Sequence, residues 1–265
     1  MTDEVLERDI LSVFRTWFSS FCDSYREDDP EAQRNLDLKE LHTLKVCEGA
    51  RLIASGGSAR RLLLAESAAL FHDLGRFPQY RKYRTFKDSE SVNHAHLSAQ
   101  ILSESGLLER LTPEEGESVL CAVRLHNAYL VPDDLTPQAA DLLKIVRDAD
   151  KLDIWRVFQE YYEAPADEKA SAVPLGFPDE PRCSGEVLET LSSGRMVALS
   201  QLRTLNDFKL LQLSWVYDIN FTATLSLVQE RSLIDGVSAT LPRKEGVLAA
   251  VERVKRYVEE RVAAG

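Results

Sequence analysis

The chain has 265 residues, 44% of them hydrophobic, and so is long enough to bury a full core as one large domain or two small ones. Its net charge of −11 and pI near 5.1 argue against general nucleic-acid binding and against attraction to an anionic membrane. Its four cysteines have no CxxC spacing, and no apolar run of about 18 residues predicts a membrane span. Because the N-terminus is acidic and amphipathic, unlike a signal peptide, we expect a cytoplasmic protein with reduced thiols.

Apolar residues at three- and four-residue spacing predict helices through the first half of the chain. Ser58 is a typical N-cap residue, and Thr112 followed by Pro113 and acidic residues is a typical helix start. Residues 75–89 are predicted to form a loop. The predicted helices cover about residues 4–22, 36–54, 58–74, 89–105 and 112–126.

The second half of the chain has the same helical pattern, interrupted once. Thr136-Pro137 opens a helix to about Lys151, with a continuation to Tyr162. Residues 163–184 contain four of the ten prolines and are predicted to form an irregular connector or a lid. Because strand patterns are almost absent, we expect an all-α fold. The remaining predicted helices cover about residues 185–192, 200–230 and 243–262.

Residues 69–76 end an apolar helix with an adjacent histidine and aspartate, His72 and Asp73. An imidazole nitrogen and a carboxylate oxygen at one helix end can bind the same metal ion. The chain has only five histidines, and all of them lie on or beside predicted helices of the first half. Because neighbouring helices can direct side chains into one core, several of these residues can converge on one metal centre.

The order of a histidine, a His-Asp pair on the next helix and a distant aspartate resembles the HD superfamily of metal-dependent phosphohydrolases. The resemblance covers about residues 36–155 and implies an HD-domain helical bundle with additional C-terminal helices. It is carried by three stretches of the printed sequence: HTLKV at 42–46, AALFHDLGR at 68–76 and RDADKLD at 147–153.

The resemblance also implies a domain organisation. We expect an N-terminal helix within residues 1–35 that packs on the core, and a metal-binding core at 36–162. The connector or lid at 163–184 then leads to a C-terminal helical extension at 185–265, which forms one compact unit with the core.

The metal ligands are likewise implied by the resemblance. Some HD proteins hold one metal ion and others hold two, and in the second case Asp73 would bridge the ions. The chain lacks the Gly-Tyr-Pro segment of the cyclic-dinucleotide phosphodiesterases in this superfamily, so we do not expect it to belong to that subgroup. The implied ligands are His42, His72, Asp73 and Asp150 for the first ion, and His94 and His126 for the second.

Three further residues lie close to these ligands in the sequence. His96 is two residues from His94, so on a helix it points about 200° away, and we assign it a structural or surface role. Asp148 and Asp153 are either solvated or orient a ligand imidazole, as carboxylates around metal sites commonly do.

A set of imidazole and carboxylate ligands without thiolate suits Mn²⁺, Fe, Co²⁺, Ni²⁺ or Mg²⁺ better than a structural zinc site. We therefore expect one or two such divalent ions as the cofactor. A metal-bound water has a lowered pKa and can act as a nucleophile near neutral pH. The predicted reaction is in-line attack on phosphorus, with Asp73 among the catalytic residues.

Residues 76–87 reverse the acidic character of the chain, because they include five basic residues and no acidic one. One interpretation is a phosphate-binding loop with a ring that stacks on a base or sugar. The other is a solvated connector whose aromatic residues belong to the core. The first makes Arg76 a catalytic and substrate-binding residue, and Arg81 and Arg84 substrate-binding residues. The interleaved aromatic residues are Phe77, Tyr80, Tyr83 and Phe86.

Further polar residues neighbour the expected ligands. Lys45 lies one turn from His42 and is predicted to contact phosphate as a catalytic residue. Lys151 follows Asp150 directly and is a candidate substrate-binding residue. The remaining substrate-binding candidates are Asn93 and Asn127.

These residues favour a phosphatase or phosphodiesterase acting on a small, nucleotide-like phosphorylated substrate. The resemblance keeps a second function open, because some HD proteins use the same six residues to hold a mixed-valent di-iron centre and oxidise small molecules. A third is a non-catalytic metal-containing module that binds a nucleotide. The sequence does not determine the oligomeric state.

Overall fold

A computed structural model of the chain describes residues 3–163, 165, 173 and 176–265. Every regular element in this part of the chain is helical, which confirms the predicted all-α fold. None of these helices is both long enough and apolar enough to cross a bilayer. Much of the predicted connector, at 164, 166–172 and 174–175, lies outside the described residues.

The described residues form two compact units, one ending at Asp153 and the other beginning at Ile154. The division falls inside a single long helix, α7, earlier in the chain than the expected boundary at residue 162. The first unit carries the predicted metal ligands. Its helices are α1 (Asp3–Asp23), α2 (Pro30–Ile53), α3 (Ala59–Phe71), α4 (Arg76–Tyr83), α5 (His94–Glu104), α6 (Pro113–Leu125) and the first part of α7 (Pro137–Glu163).

Helix starts in the first unit follow local capping chemistry. Ser58 and Thr112 cap α3 and α6 as predicted, and Thr112 forms a reciprocal capping box with Glu115. Helix α2 begins earlier than predicted because Asp29, whose carboxylate accepts from the N–H of Ala32, caps it at Pro30.

The predicted loop at 75–89 is wrong in its first half, which forms α4. Pro78 lies in the first turn of this helix, where its missing N–H would have no intrahelical acceptor, so it does not break the helix. Phe77 and Tyr80 are buried on one face of α4. The helix ends at Arg84, whose left-handed conformation (φ 55°) turns the chain away from the helix axis.

Helix α1 packs an aromatic stripe against the chain on both sides of the His72-Asp73 pair. The ring of Phe14 lies 5.3 Å from that of Phe71, which directly precedes the pair. The ring of Phe21 lies 5.6 Å from that of Phe77, which follows the pair. Edge-to-face contacts of this kind add to the area that the rings bury, so α1 fixes both flanks of the turn.

The turn after Asp73 lies against the start of α5. Gly75 has φ −62°, which any residue can adopt, but a Cβ at this position would lie 2.3 Å from the carbonyl oxygen of His94. The N–H of Gly75 donates to Oγ of Ser98 at 2.8 Å. The missing side chain therefore allows the two predicted ligand segments to meet.

Helices α2 and α7 also approach closely within the first unit. A Cβ on Gly49 would lie 3.3 Å from Cβ of Ala149, so this part of α2 lies directly against α7. The contact lies two turns after His42 and one residue before Asp150. It brings the helices that carry these two residues together.

The second unit contains the end of α7 and five further helices. The single helix predicted at 200–230 is wrong, because a 3₁₀ turn over Trp215–Asp218 and an extended segment break it into α9 and α10. Thr204 and Asp207 form the capping box that starts α9. These helices are α8 (Gly185–Ser192), α9 (Leu205–Ser214), α10 (Thr222–Glu230), α11 (Leu233–Ala239) and α12 (Glu245–Ala263).

We predict that Gly75→Ala lowers the free energy of unfolding by about 3 kcal/mol, because the new methyl group meets backbone atoms that cannot move aside easily. Gly116→Ala is the matched control. A Cβ on Gly116 would make only ordinary contacts in α6, so alanine should be neutral or stabilise the helix by about 0.5–1 kcal/mol. Urea denaturation measures the free energy of unfolding of both variants and of the unaltered chain. An equal effect of the two substitutions would contradict this account of Gly75.

We predict that Gln212→Met raises the free energy of unfolding by about 1–2 kcal/mol. Gln212 is 0% exposed, and neither of its amide atoms has a hydrogen-bond partner among the described residues, which is costly. Asn206→Leu should destabilise, because Nδ2 of Asn206 donates to the carbonyl oxygen of Glu180 at 2.6 Å. If Gln212→Met destabilises as much as Asn206→Leu, a bound water or ligand satisfies the amide.

Candidate metal centre

The structure brings all six predicted ligands together in the first unit. His72 and His126 are the C-cap residues that directly follow α3 and α6, and His94 is the first residue of α5. Five of the six are buried, while the carboxylate of Asp150 is 19% exposed. The remaining residues are His42 on α2, Asp73 in the turn after α3, and Asp150 on α7.

The carboxylate of Asp73 lies between two pairs of imidazole rings. Its Oδ2 lies 3.6 Å from Nε2 of both His42 and His72. Its Oδ1 lies 3.4 Å from Nε2 of His94 and 3.8 Å from Nε2 of His126. Each oxygen thus faces a different pair, which would suit a carboxylate shared between two metal positions.

Asp150 completes the first of these pairs. Its Oδ1 lies 3.1 Å from Nε2 of His42 and 3.9 Å from Nε2 of His72. The ligand atoms of these three residues all lie within 4.8 Å of one another. His72, Asp73 and His126 form a second such group, so the two groups share His72.

Backbone carbonyl groups fix two of the rings. Nδ1 of His72 donates to the carbonyl oxygen of Ala69 at 2.6 Å, and Nδ1 of His126 donates to that of Val123 at 2.8 Å. In both cases the acceptor is three residues earlier, at the end of the same helix. These contacts place the proton of the neutral imidazole on Nδ1 and leave the lone pair on Nε2.

Carboxylates hold the other two rings by Nδ1. Nδ1 of His42 lies 2.6 Å from Oδ2 of Asp153, and Nδ1 of His94 lies 2.7 Å from Oδ2 of Asp88. Asp153 is buried, so of the two expectations for this residue the structure supports the one in which it orients a ligand imidazole. Asp148 is fully buried, so the expectation that it is solvated is wrong.

All four imidazoles therefore direct Nε2 toward the carboxylates. Nε2 of His42 and Nε2 of His72 are buried without a hydrogen bond; the former lies near Asp150 but is not aligned with it. The Nε2 atoms of His94 and His126 lie only 3.0 Å apart. Because both rings already donate through Nδ1, these atoms present lone pairs to each other. A metal cation would satisfy these nitrogens, so the residues fit the predicted ions.

The protonation states of three of the histidines also suit metal binding. Burial lowers the pKa of His94 to about 4 and that of His126 to about 3. Burial also lowers the pKa of His72. Burial and the charge of Lys39 oppose protonation of His42, but the nearby carboxylates of Asp150 and Asp153 outweigh them and raise its pKa. Three rings are thus neutral near pH 7, as metal binding requires.

The carboxylates are ionised despite their burial. Burial would raise the pKa of Asp73, but the nearby charges of Lys39, His72 and Arg76 hold it well below its usual range. Burial would also raise the pKa of Asp150, but the close approach of His42 outweighs burial and lowers it. Both groups are therefore available as anionic ligands.

Lys39 lies at the candidate site but was not predicted from the sequence. Its Nζ lies 2.8 Å from Oδ2 of Asp73, while Nε of the predicted residue Arg76 lies 3.5 Å from Oδ1. Lys39 precedes His42 by three residues, so the helical spacing that places them on one face was the available signal. The two cations lie on the two oxygens of one carboxylate.

Arg147 is a second residue near the candidate ligands that was not predicted from the sequence. It is buried on α7, and its guanidinium group donates to the carbonyl oxygen of His126 at 3.2 Å and to that of Tyr129 at 3.3 Å. It also donates to the carbonyl oxygen of Ala128. Arg147 thereby fixes the chain that follows His126.

Three predicted phosphate-contacting residues are not brought to the cluster. Lys45 is 40% exposed and pairs with Glu48 at 3.0 Å. Arg81 and Arg84 both pair with Glu27, at 3.5 and 3.3 Å. The rings in this segment are mostly core: buried Phe77, Tyr80 and Phe86, with Tyr83 half-buried.

The other substrate-binding candidates lie nearer the ligands. Nδ2 of Asn127 lies 3.3 Å from Oδ1 of Asn93, whose side chain caps α5 by accepting from the N–H of His96. Lys151 is buried next to Asp150 in the chain. The side chain of His96 is exposed, in agreement with its predicted surface role.

The family model of the HD domain matches residues 41–155, a range that includes all six candidate ligands. No curated protein and no solved structure matches the chain. HD domains bind divalent metal ions and are generally metal-dependent phosphohydrolases. Residues 41–155 of this chain therefore match the HD domain, in agreement with the resemblance seen in the sequence.

Proposed function

We propose that this protein is a phosphatase or phosphodiesterase that hydrolyses a small phosphoester with the help of divalent metal ions. The observation that carries the proposal is the position of Asp73. Each of its oxygens faces a pair of histidines, and each also lies against a cation, Lys39 or Arg76. Candidate metal ligands with two cationic side chains directly beside them are suited to a phosphoryl group.

The six candidate ligands would hold one or two ions of Mn, Fe, Co, Ni or Mg, because they offer nitrogen and oxygen donors only. When bound, such an ion supplies a water of lowered pKa as the nucleophile and neutralises phosphate charge. His42, His72 and Asp150 would bind the first ion, and His94 and His126 the second. Asp73 would be shared between the two positions.

Lys39 and Arg76 would bind the phosphoryl oxygens. Both are largely buried, with side chains 16% and 15% exposed, so their charges are weakly screened by solvent. The planar guanidinium of Arg76 suits two oxygens of one phosphate group, whereas Lys39 supplies a point charge. As the phosphoryl group carries more charge in the transition state, these contacts strengthen and lower the barrier.

Lys39 and Arg76 support a phosphorylated substrate, but they do not identify the rest of the substrate molecule. Phe77, Tyr80 and Phe86 are buried, so they do not support the stacking surface that the sequence suggested for a nucleotide base. A panel of nucleotides, cyclic nucleotides and sugar phosphates therefore tests the nucleotide-like part of the proposal separately. Release of inorganic phosphate or of a monoester distinguishes a phosphatase from a phosphodiesterase.

We predict that Asp73→Ala empties both metal positions, because its carboxylate faces both pairs of histidines. His126→Ala should empty at most one, because Nε2 of His126 belongs only to the second group. Metal content per chain after loading with Mn²⁺, measured by inductively coupled plasma mass spectrometry, compares them. Full metal content in Asp73→Ala would refute the shared role of this residue.

We predict that Lys39→Gln and Arg76→Gln each lower kcat/KM by about 100-fold, because each removes a positive charge from the phosphoryl site. The matched control is Lys45→Gln, which removes the same charge from the face of α2 where Lys45 pairs with Glu48. It should change kcat/KM by less than about threefold. Phosphate release by the metal-loaded chain is the assay. A large loss in Lys45→Gln would favour the role that the sequence suggested for it.

A di-iron oxygenase is the second candidate, because a carboxylate placed between two sets of histidines suits two iron ions as well. Iron loading without oxygen, followed by addition of oxygen and electron paramagnetic resonance, tests it. A mixed-valent signal together with oxygen consumption would favour the oxygenase.

Absence of hydrolysis with every metal across the panel would overturn the phosphohydrolase. A metal-loaded chain that binds a nucleotide tightly without turnover would instead be a binding module.

A further inference from the structure

Asp88 is the meeting point of three segments of the first unit. It lies in a 3₁₀ turn between α4 and α5. Its Oδ2 accepts from Nδ1 of His94 at 2.7 Å and from Nδ2 of Asn127 at 3.2 Å. Its Oδ1 accepts from Nη1 of Arg76 at 3.1 Å and from Nε2 of Gln79 at 2.9 Å. One carboxylate thereby joins α4, α5 and the chain after α6.

Neighbouring groups hold this carboxylate in a fixed orientation. Gln79 is buried, and its Nε2, whose two hydrogens are shared among these acceptors, also lies 2.8 Å from Oγ of Ser91 and 3.0 Å from the carbonyl oxygen of Val92. Nη1 of Arg76 also donates to the carbonyl oxygen of Phe86 at 2.5 Å. The turn that carries Asp88 is therefore tied to α4 on both sides, and both carboxylate oxygens have defined donors.

We propose that Asp88 is the positioning residue of the second metal position: it orients His94 toward the ion and holds Arg76 beside the same ion. This inference rests on the proposed function, since it assigns His94 to a second ion. Asp88 contacts neither the ion nor the phosphoryl group. It acts by fixing the ring orientation and the tautomer of His94, leaving the lone pair on Nε2.

The arrangement divides the centre into two separately supported halves. Asp153 holds His42, which belongs to the first ion position, while Asp88 holds His94, which belongs to the second. Asp88 also contacts Arg76, so occupation of the second position and binding of phosphate share one support. Loss of Asp88 should therefore weaken the second ion and leave the first one bound.

The experiment loads the full chain with Mn²⁺ alone and measures three quantities. These are the ions bound per chain, their affinities by titration, and the electron paramagnetic resonance spectrum, which distinguishes a coupled ion pair from an isolated Mn²⁺. Asp88→Asn should bind the second ion about 10- to 100-fold more weakly, with the first affinity unchanged. At a Mn²⁺ concentration that just fills both positions of the unaltered chain, its spectrum should match that of His94→Ala, the spectrum of an isolated ion.

The matched control is Glu90→Gln, which removes a negative charge from the same turn. Glu90 is exposed and pairs with Lys87 at 2.9 Å. This variant should keep both ions and the coupled spectrum. Asp153→Asn should give the opposite pattern, with the affinity of the first ion reduced. Asp88→Glu, which restores the carboxylate one methylene farther away, should have a second affinity between those of Asp88→Asn and the unaltered chain.

The outcomes separate this inference from the proposed function. Two ions bound by Asp88→Asn with unchanged affinities would overturn the role of Asp88 alone. A single ion on the unaltered chain would also overturn it, while a one-ion hydrolase would stand. No ion on the unaltered chain would overturn both. Should circular dichroism show Asp88→Asn unfolded, Asp88→Glu decides: an unchanged second affinity in that folded variant overturns the inference.

Discussion

The buried charge of Asp73 is the constraint on which the rest of the site depends. A carboxylate removed from water costs several kcal/mol unless cations and hydrogen-bond donors replace the water. Here Lys39 and Arg76 provide the cations, from opposite sides. Three of the four histidines around it are neutral near pH 7. Asp88 and Asp150 add further negative charge beside it, so three carboxylates face these two cations. The site is thus built so that added positive charge is favourable, which is the electrostatic condition for holding metal ions.

That condition depends on bringing helix ends together at short range. The His72-Asp73 pair lies where a helix has just ended, and Gly75 lets the following turn touch the first residues of α5. The aromatic contacts from α1 to Phe71 and Phe77 hold this turn from the other side. Ligands on rigid helix ends lose little conformational freedom when they bind an ion, so the packing of the first unit contributes directly to affinity.

Much of the fold and of the candidate metal centre could be predicted from the sequence. Helix starts at Ser58 and Thr112 follow local chemistry that needs no tertiary information. The six candidate ligands could be proposed from the sequence because their order along the chain is specific. The break between α9 and α10 was not predictable, since the apolar spacing continues through Trp215. The ring of Trp215 packs 5.8 Å from that of Trp155. Asp88 gave no signal, because only a folded turn brings a loop carboxylate to His94.

The hydrogen bonds around the rings explain why the four histidines are not equivalent. Backbone carbonyls hold His72 and His126, and these acceptors belong to the same helix ends that carry the two rings. Carboxylates hold His42 and His94, and a negatively charged acceptor makes the opposite nitrogen a stronger ligand. Each ion position would thus combine one ring of each kind. Because Asp88 also contacts Arg76, the stronger ligand of the second position and the cation proposed to bind phosphate share one rigid support, so metal binding there would also order the phosphoryl site.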